Sequence, residues 1–298
     1  MYSPPLDIIE NKSESRVRDF ISLLKPRVMS LVVFSGFAGM WVAPGFDQMH
    51  PLMVFVAMLS LAIGAGAAGA ANMWYDRDID AVMKRTSSRP LPMGRIDSNE
   101  ALSFAVVLSA LSVLTMGVAI NWVAAGILAF ANIFYVFVYT MWLKRRTPHN
   151  IVIGGAAGAF PPIIGWAAVT GDVSLQSIIL FSIIFFWTPP HFWALSLFAC
   201  DDYKKANIPM LPVVSGPEKT RIQMLIYTLG LLPLSMLPSF LGFAGWGYGI
   251  AALALSGFFV FTAAKVLVDH SEKSARLMFG YSVFYLFALF LAMMIDKV

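Results

Sequence analysis

Long apolar runs, separated by connections that alternate between strongly basic and free of lysine and arginine, constrain this chain more than any other feature of its sequence. Read between charged or Pro/Gly-rich breaks, the runs fall at 28–46, 51–74, 100–120, 122–143, 151–170, 174–199, 221–242, 245–267 and 276–295. About 20 apolar residues of helix cross a bilayer core, so each run predicts a transmembrane helix. The expected fold is an all-α integral membrane protein of nine spans. Charged residues make up 13% of the chain and mean hydropathy is +0.73, whereas a soluble domain carries roughly a quarter. That leaves no material for a water-soluble ectodomain or a nucleic-acid-binding module.

The basic residues decide the topology. Every Lys and Arg except Lys297 lies in one of five places: the N-terminal segment (Lys12, Arg16, Arg18, Lys25, Arg27), after span 2 (Arg77, Lys84, Arg85, Arg89, Arg95), after span 4 (Lys144, Arg145, Arg146), between spans 6 and 7 (Lys204, Lys205, Lys219, Arg221), or between spans 8 and 9 (Lys265, Lys273, Arg276). With nine spans all five fall on one face, which the positive-inside rule makes cytoplasmic. That rule also accounts for most of the net charge of +4. The first 27 residues hold no apolar stretch of signal-peptide length, and Asp7, Glu10, Glu14 and Asp19 argue against an acid-poor presequence. The expected location is a bacterial inner membrane, crossed many times, with the N-terminus cytoplasmic. Residues 1–27 read as a cytoplasmic segment and 28–298 as a single nine-helix domain. Cys200 is the lone cysteine and has no partner for an intrachain disulfide.

Most of the chemistry is written between Asn72 and Pro90. Asn72, Asp76 and Asp80 stand at i, i+4 and i+8, one stripe of a continuing helix. Carboxylates a turn apart beside lipid need something positive between them, and a divalent metal is the usual answer. Magnesium fits best, because it accepts one or two carboxylates together with phosphate oxygens and keeps several waters. Asp78 points off the stripe, toward solvent or a neighbouring Arg. Asp76, Asp78 and Asp80 share the first spacings of a calcium loop, but Ala81 and Ser87 replace its Gly and its Glu. Lys84, Arg85 and Arg89 follow the acids, and Lys144, Arg145 and Arg146 end span 4 on the same face. Metal-holding acids beside anion-holding bases read as a diphosphate site. A second polar island, Cys200–Pro212, brings Asp201 and Asp202 to that face as an opposing acidic wall.

His191 follows Pro189-Pro190 inside an apolar span, where an ionisable side chain is costly and often functional. Two roles stay open from the residues alone: a ligand to a metal centre, or a hydrogen bond to carbonyls that the prolines free. Glycines 64, 66 and 69, and 154, 155 and 158, read first as close helix contacts. A secondary transporter is the rival from another class, since its sites use intramembrane acids and broken helices.

Asn72-x-x-x-Asp76-x-x-x-Asp80, the second acidic motif and the basic loops resemble the UbiA superfamily of intramembrane prenyltransferases. The finer wording is similar to its haem-farnesylating branch: Met83-Lys84-Arg85-Thr86, Arg89-Pro90-Leu91, Leu143-Lys144-Arg145, Pro161-Pro162-Ile163-Ile164-Gly165, Pro190-His191, Asp202-Tyr203 and Ile208 to Pro212, with Lys25-Pro26-Arg27 ahead of span 1. The resemblance implies a bundle around a central cavity with a cytoplasmic cap. It implies transfer of a farnesyl group from farnesyl diphosphate to a vinyl group of haem b with addition of water, and Mg2+ as the cofactor. On that reading Asn72, Asp76, Asp80 and Asp202 are the catalytic and metal-binding residues. Arg27, Lys84, Arg85, Arg89, Lys144 and Arg145 bind diphosphate, and His191 and His149 meet the haem. Haem-handling proteins and a terminal oxidase come into view as partners, and no residue identifies one. Another UbiA-type enzyme with a different aromatic acceptor is the near alternative. The chain departs from the superfamily pattern in two places: Ala206 stands where a second Asp often follows Asp202, and Tyr139 lies five residues before Lys144 rather than four.

Overall fold

The structure is a computed structural model that describes residues 16–298. Lys12 and the acids at 7, 10 and 14 lie outside the described residues. Helix forms throughout because a segment in lipid must satisfy its backbone polar groups within itself. Eight helices are long and apolar enough to span a bilayer: α3 (Pro51–Tyr75), α5 (Ser98–Ala119), α6 with its continuation (Trp122–Leu143), α7 and α8 together (Asn150–Thr170), α9 (Leu175–Phe198), α12 (Gly216–Phe240), α13 (Trp246–Asp269) and α14 (Glu272–Ile295). The ninth is a pair bent by 46°, α1 (Arg16–Leu23) and α2 (Pro26–Trp41). Short α4 (Arg77–Val82), α10 (Cys200–Lys205) and α11 (Leu211–Val214) sit in the basic connections.

Neighbours in sequence are neighbours in space. α2 packs on α3, α3 on α5, α5 on α6, the end of α6 on α7, α7 on α9, then α9 on α12, α12 on α13 and α13 on α14, and α14 returns to α2. The spans therefore close a ring. Helix starts are marked by Pro26, Pro51 and Pro161, whose missing N–H would have no helical partner there. Side chains of Asp97, Asn121, Ser174 and Ser271 cap α5, α6, α9 and α14.

The first span starts two residues earlier than 28 and ends at Trp41 rather than 46, because Pro44-Gly45 turns the chain, with Gly45 at φ +88°. Residues 16–23 are not a loose segment. Leu23 is fully buried, Phe20 packs on Phe104 at 5.0 Å, and Asp19 pairs with Arg95 at 3.0 Å. Pro161 breaks span 5 into α7 and α8, and α8 lies so close to α2 that a Cβ on Gly165 would collide with the Gly36 carbonyl and one on Gly39 with Pro162. Packing of small residues substitutes here for the hydrophobic drive that lipid does not supply. Of the glycines expected at contacts, Gly64 meets Ser112 and Leu128, and Gly154 meets the Tyr139 ring. Gly69, Gly154, Gly155 and Gly158 also border the central cavity.

Candidate active site

α3 ends at Tyr75 and α4 begins at Arg77, yet the acidic stripe survives the break. Asp76 N–H still donates to the Asn72 carbonyl at 2.9 Å, and Asp80 N–H to the Asp76 carbonyl at 2.8 Å. Asn72, Asp76 and Asp80 therefore share a face and are buried, at 5%, 1% and 3% exposure. Asn72 Nδ2 donates to Asp76 Oδ2 at 2.7 Å and to Thr140 Oγ1 at 3.2 Å.

Buried carboxylates need countercharge, and here side chains of the chain itself supply it. Lys144 Nζ donates to Asp76 Oδ2, Arg145 reaches Asp76 Oδ1 at 3.5 Å, and Arg89 Nη1 donates to Asp80 Oδ2 at 2.6 Å. Lys25, at the bend between α1 and α2 with φ +52°, donates to Asn72 Oδ1 at 2.8 Å. Sequence reasoning placed Lys25 only within a motif. The sequence offered only a lysine directly before Pro26 at the start of a span; its left-handed backbone, of a kind that gathers at functional sites, is visible in the structure alone. Asp78 does point off the stripe, where Arg145 binds both its oxygens at 2.8 and 2.7 Å. Those hydrogen bonds hold the Asp78 carboxyl below its ordinary range. Arg145 also lies over the Tyr75 ring at 4.9 Å.

Lys144 reaches Asp76 because the end of span 4 is not α-helical. From Phe134 to Leu143 the chain is a π-helix, and Lys144 N–H donates to the Tyr139 carbonyl at 2.9 Å. The five-residue spacing from Tyr139 to Lys144, a misfit in an α-helix, is one step of an i→i+5 ladder. Tyr135 and Tyr139 stack at 5.4 Å, and both face the cavity.

The connection after α9 meets the connection after α3 and the start of α7 in an apolar cluster of Tyr203, Ile208 and Met210 with Ile79, Met83 and Ile151. The two polar connections thus meet as a cap over one end of the ring. Asp202 is half-buried on α10, and Asp201 is exposed. Among the described residues no three His, Cys, Asp or Glu side chains converge, so Asp202 does not close a three-acid group with Asp76 and Asp80 here. The donors that do share a face, two carboxylates and an amide oxygen, are hard oxygen ligands of the kind magnesium takes. Asp80 Oδ1 has no hydrogen-bond donor among the described residues, leaving one carboxylate oxygen on the stripe for a cation.

A cavity of about 1000 Å³ reaches the stripe at Asn72 and runs into the ring, with Asp76, Asp80, Asp202, Lys144 and Arg145 off its wall. Its polar end carries Lys25, Arg27, Asn72, Arg85 and Arg89. Lys84 and His149 are exposed and lie off its wall. The rest of the wall is aromatic and aliphatic, and His191 borders it at 8% exposure, about two turns from the C-terminal end of α9, with Ile184 deeper on the same helix. The His191 ring lies between Trp187, at 4.4 Å and 18°, and Phe279, at 4.7 Å and 22°. Its Nδ1 bonds the Ser282 hydroxyl at 2.6 Å rather than a carbonyl freed by Pro189 and Pro190.

A ring of helices encloses an apolar cavity, with buried acids and their basic partners gathered near one mouth. Residues 32–292 match the UbiA prenyltransferase family, and the chain belongs to it. It is 56% identical to a protein of Parvibaculum lavamentivorans named protoheme IX farnesyltransferase, over 94% of this chain and 89% of that one. It is 59% identical to protoheme IX farnesyltransferase 2 of Mesorhizobium japonicum, over 96% and 92%. Among solved structures, a digeranylgeranylglyceryl phosphate synthase superposes with a TM-score of 0.78 at 20% identity, covering 95% of this chain and 98% of that one. A UbiA homolog from Archaeoglobus fulgidus bound to GPP and Mg2+ superposes with 0.68 at 19%, over 92% and 99%. These two share the fold. The chain is a multi-pass membrane protein of the prenyltransferase class.

Proposed function

We propose that the chain transfers the farnesyl group of farnesyl diphosphate to a vinyl group of haem b, with addition of water, giving haem O and diphosphate. One observation carries the reading: a single cavity joins a charged mouth suited to a metal diphosphate to an apolar interior bordered by a buried imidazole. The names of the relatives in Parvibaculum and Mesorhizobium support the same pair of substrates.

Asn72, Asp76 and Asp80 are the residues that would hold Mg2+, with Asp202 on the facing cap. When bound, the ion neutralises charge on the departing diphosphate. Lys25, Arg27, Arg85 and Arg89 stand on the cavity wall and present N–H donors where that charge grows. Lys84, Lys144 and Arg145 complete the basic rim. A vinyl group is a weak nucleophile, so ionisation comes first: the C1–O bond breaks and its electron pair leaves with the diphosphate. The terminal vinyl carbon then bonds to C1, and the cation left beside the pyrrole is stabilised by conjugation. Water adds there and releases a proton, giving the hydroxyethylfarnesyl product. The apolar cavity keeps bulk water from the first cation. His191 would hold the macrocycle through its iron, and His149, which lies off the cavity wall, would reach a propionate only at the outer rim.

The test is purified protein with haem b, farnesyl diphosphate and Mg2+ in oxygen-18 water. The expected product carries a labelled hydroxyl and releases diphosphate. An unlabelled hydroxyl excludes hydration, and absence of any farnesylated haem removes the acceptor assignment.

The proposed setting is a bacterial inner membrane with the N-terminus cytoplasmic and Val298 near the opposite face. Reporter fusions after residues 95, 146 and 215 should all report cytoplasm. A periplasmic signal at any of them breaks the orientation.

A further inference from the structure

Ser282 on α14 is fully buried and faces His191 across the cavity wall. Its hydroxyl oxygen lies 2.6 Å from His191 Nδ1 and 2.6 Å from the Phe279 carbonyl oxygen. A carbonyl has no proton of its own, so an O···O approach that short requires the serine proton between the two oxygens. The serine has only that one proton. Its oxygen must therefore accept from His191, which puts a proton on Nδ1. In the neutral imidazole, the form that binds a metal, a proton on Nδ1 leaves the lone pair on Nε2.

The surroundings hold the ring in that pose. Trp187 and Phe279 cover its two faces, and Trp187 Nε1 donates to the Ser282 carbonyl at 2.8 Å, tying α9 to α14 beside the serine. Nε2 makes no hydrogen bond among the described residues, and it is not among the polar atoms sealed without a partner. His191 lines the cavity, so Nε2 is left open to it.

We propose that Ser282 is a positioning residue that fixes the His191 tautomer and aims Nε2 at the iron of the acceptor. The inference rests on the reading of His191 as the haem ligand. A second partner that accepts the other ring N–H is what orients a metal-binding histidine, and its loss costs roughly 10- to 100-fold in affinity.

Two measurements separate the proposal from that reading. The first needs no haem: nitrogen-15 spectra of histidine-labelled protein, with the His191 signals assigned by their loss in His191→Ala. Protonated Nδ1 and bare Nε2 are expected, and a ring protonated on Nε2 overturns the proposal. The second is titration of ferric haem b, read by affinity and by the optical and EPR signature of a nitrogen ligand. His191→Ala should lose that signature; if it is kept, the ligand reading fails and the inference with it. Ser282→Ala should weaken haem binding roughly 10- to 100-fold and shift the signature, while Ser282→Thr, which keeps the hydroxyl, restores both. Wild-type affinity and signature in Ser282→Ala, with the signature lost in His191→Ala, would leave the ligand standing and overturn the role of Ser282. Farnesyl diphosphate binding reports whether the fold is intact. If Ser282→Ala does not fold, Ser282→Cys, close in size and a poor acceptor, carries the same readouts.

Discussion

The charged mouth and the apolar wall around His191 hold their polar groups by opposite means. Beside the mouth, Asp76 and Asp80 are buried against Lys144, Arg145 and Arg89, charge against charge. On the apolar wall, His191 is buried against a hydroxyl and two stacked aromatic rings, with no charge in contact. Charge pairs of this kind can exchange partners when a metal diphosphate arrives, because the same bases bind phosphate as readily as carboxylate. A neutral hydrogen bond inside an aromatic clamp cannot relax into water, so it preserves one orientation. The mouth is built for ligand charge to enter and leave. The apolar wall is built for register.

The largest expected effect tests the mouth. Asp76→Ala or Asp80→Ala should lower farnesyl transfer by about 10³-fold or more, since metal stabilisation of a leaving group is worth several kcal/mol and each 1.4 kcal/mol is tenfold. Near-normal turnover in Mg2+ would remove the metal from the stripe. Reading the acids alone suggests that either substitution relieves repulsion and leaves the fold untouched. The bases in contact with them reverse that expectation. Without Asp76, Lys144 loses its partner while Lys25 and Arg89 remain close by. Lys144 is 18% exposed and can turn outward, whereas Asp76 at 1% cannot. Lys144→Ala should therefore cost more stability than Asp76→Ala, but less than the roughly 3–5 kcal/mol of a fully broken buried pair, because Arg145 and Asn72 still contact Asp76. Thermal unfolding of the two variants in one detergent measures the order.

The wall around His191 should respond differently. His191→Ala is expected to weaken haem binding by at least about tenfold, the floor for losing even the partner of a ligand, and to leave farnesyl diphosphate binding unchanged. Parallel titrations of both substrates decide it. Equal losses would mean that the two regions are one packed unit and that the contrast between them fails.

The same contrast explains how far the sequence could be read. The mouth was legible because charge beside lipid is expensive and must be explained. The spacing of Asn72, Asp76 and Asp80 gave the stripe, and the basic loops gave the face. What periodicity missed there was the π-helix from Phe134 to Leu143, which brings Lys144 onto Asp76. No propensity marks an i→i+5 ladder, though the extra residue between Tyr139 and Lys144 was its trace. On the apolar wall His191 stood out as an ionisable group in an apolar span. Ser282 and Phe279 did not, because a serine or phenylalanine in a membrane helix is ordinary until a distant helix makes it a partner. The ring closure of α14 on α2 and the Gly165–Gly36 approach were equally hidden, since both are contacts between segments far apart in the chain.

The smallest effect belongs to the outer edge of the mouth, where charge pairing is exposed rather than buried. Asp78 is 62% exposed and held by Arg145 through two hydrogen bonds. Those bonds favour the carboxylate, so its folded pKa lies below the unfolded one. The stabilisation is therefore present above the ordinary carboxylate value of about 3.9 and lost as pH falls through the lower folded value. Solvent and salt screen so exposed a pair, and its worth should not exceed about 1 kcal/mol. Asp78→Asn should lower thermal stability slightly at pH 7, and the gap from the parent should close below about pH 4 or in high salt. At the buried end of the same mouth, Asp76 paired with Lys144 should show a far weaker salt dependence, because screening reaches buried pairs poorly. Equal sensitivity to salt in the two pairs would mean that water enters the acidic stripe as freely as it reaches Asp78, and the mouth would then be a solvated funnel rather than a dry seat for a metal diphosphate.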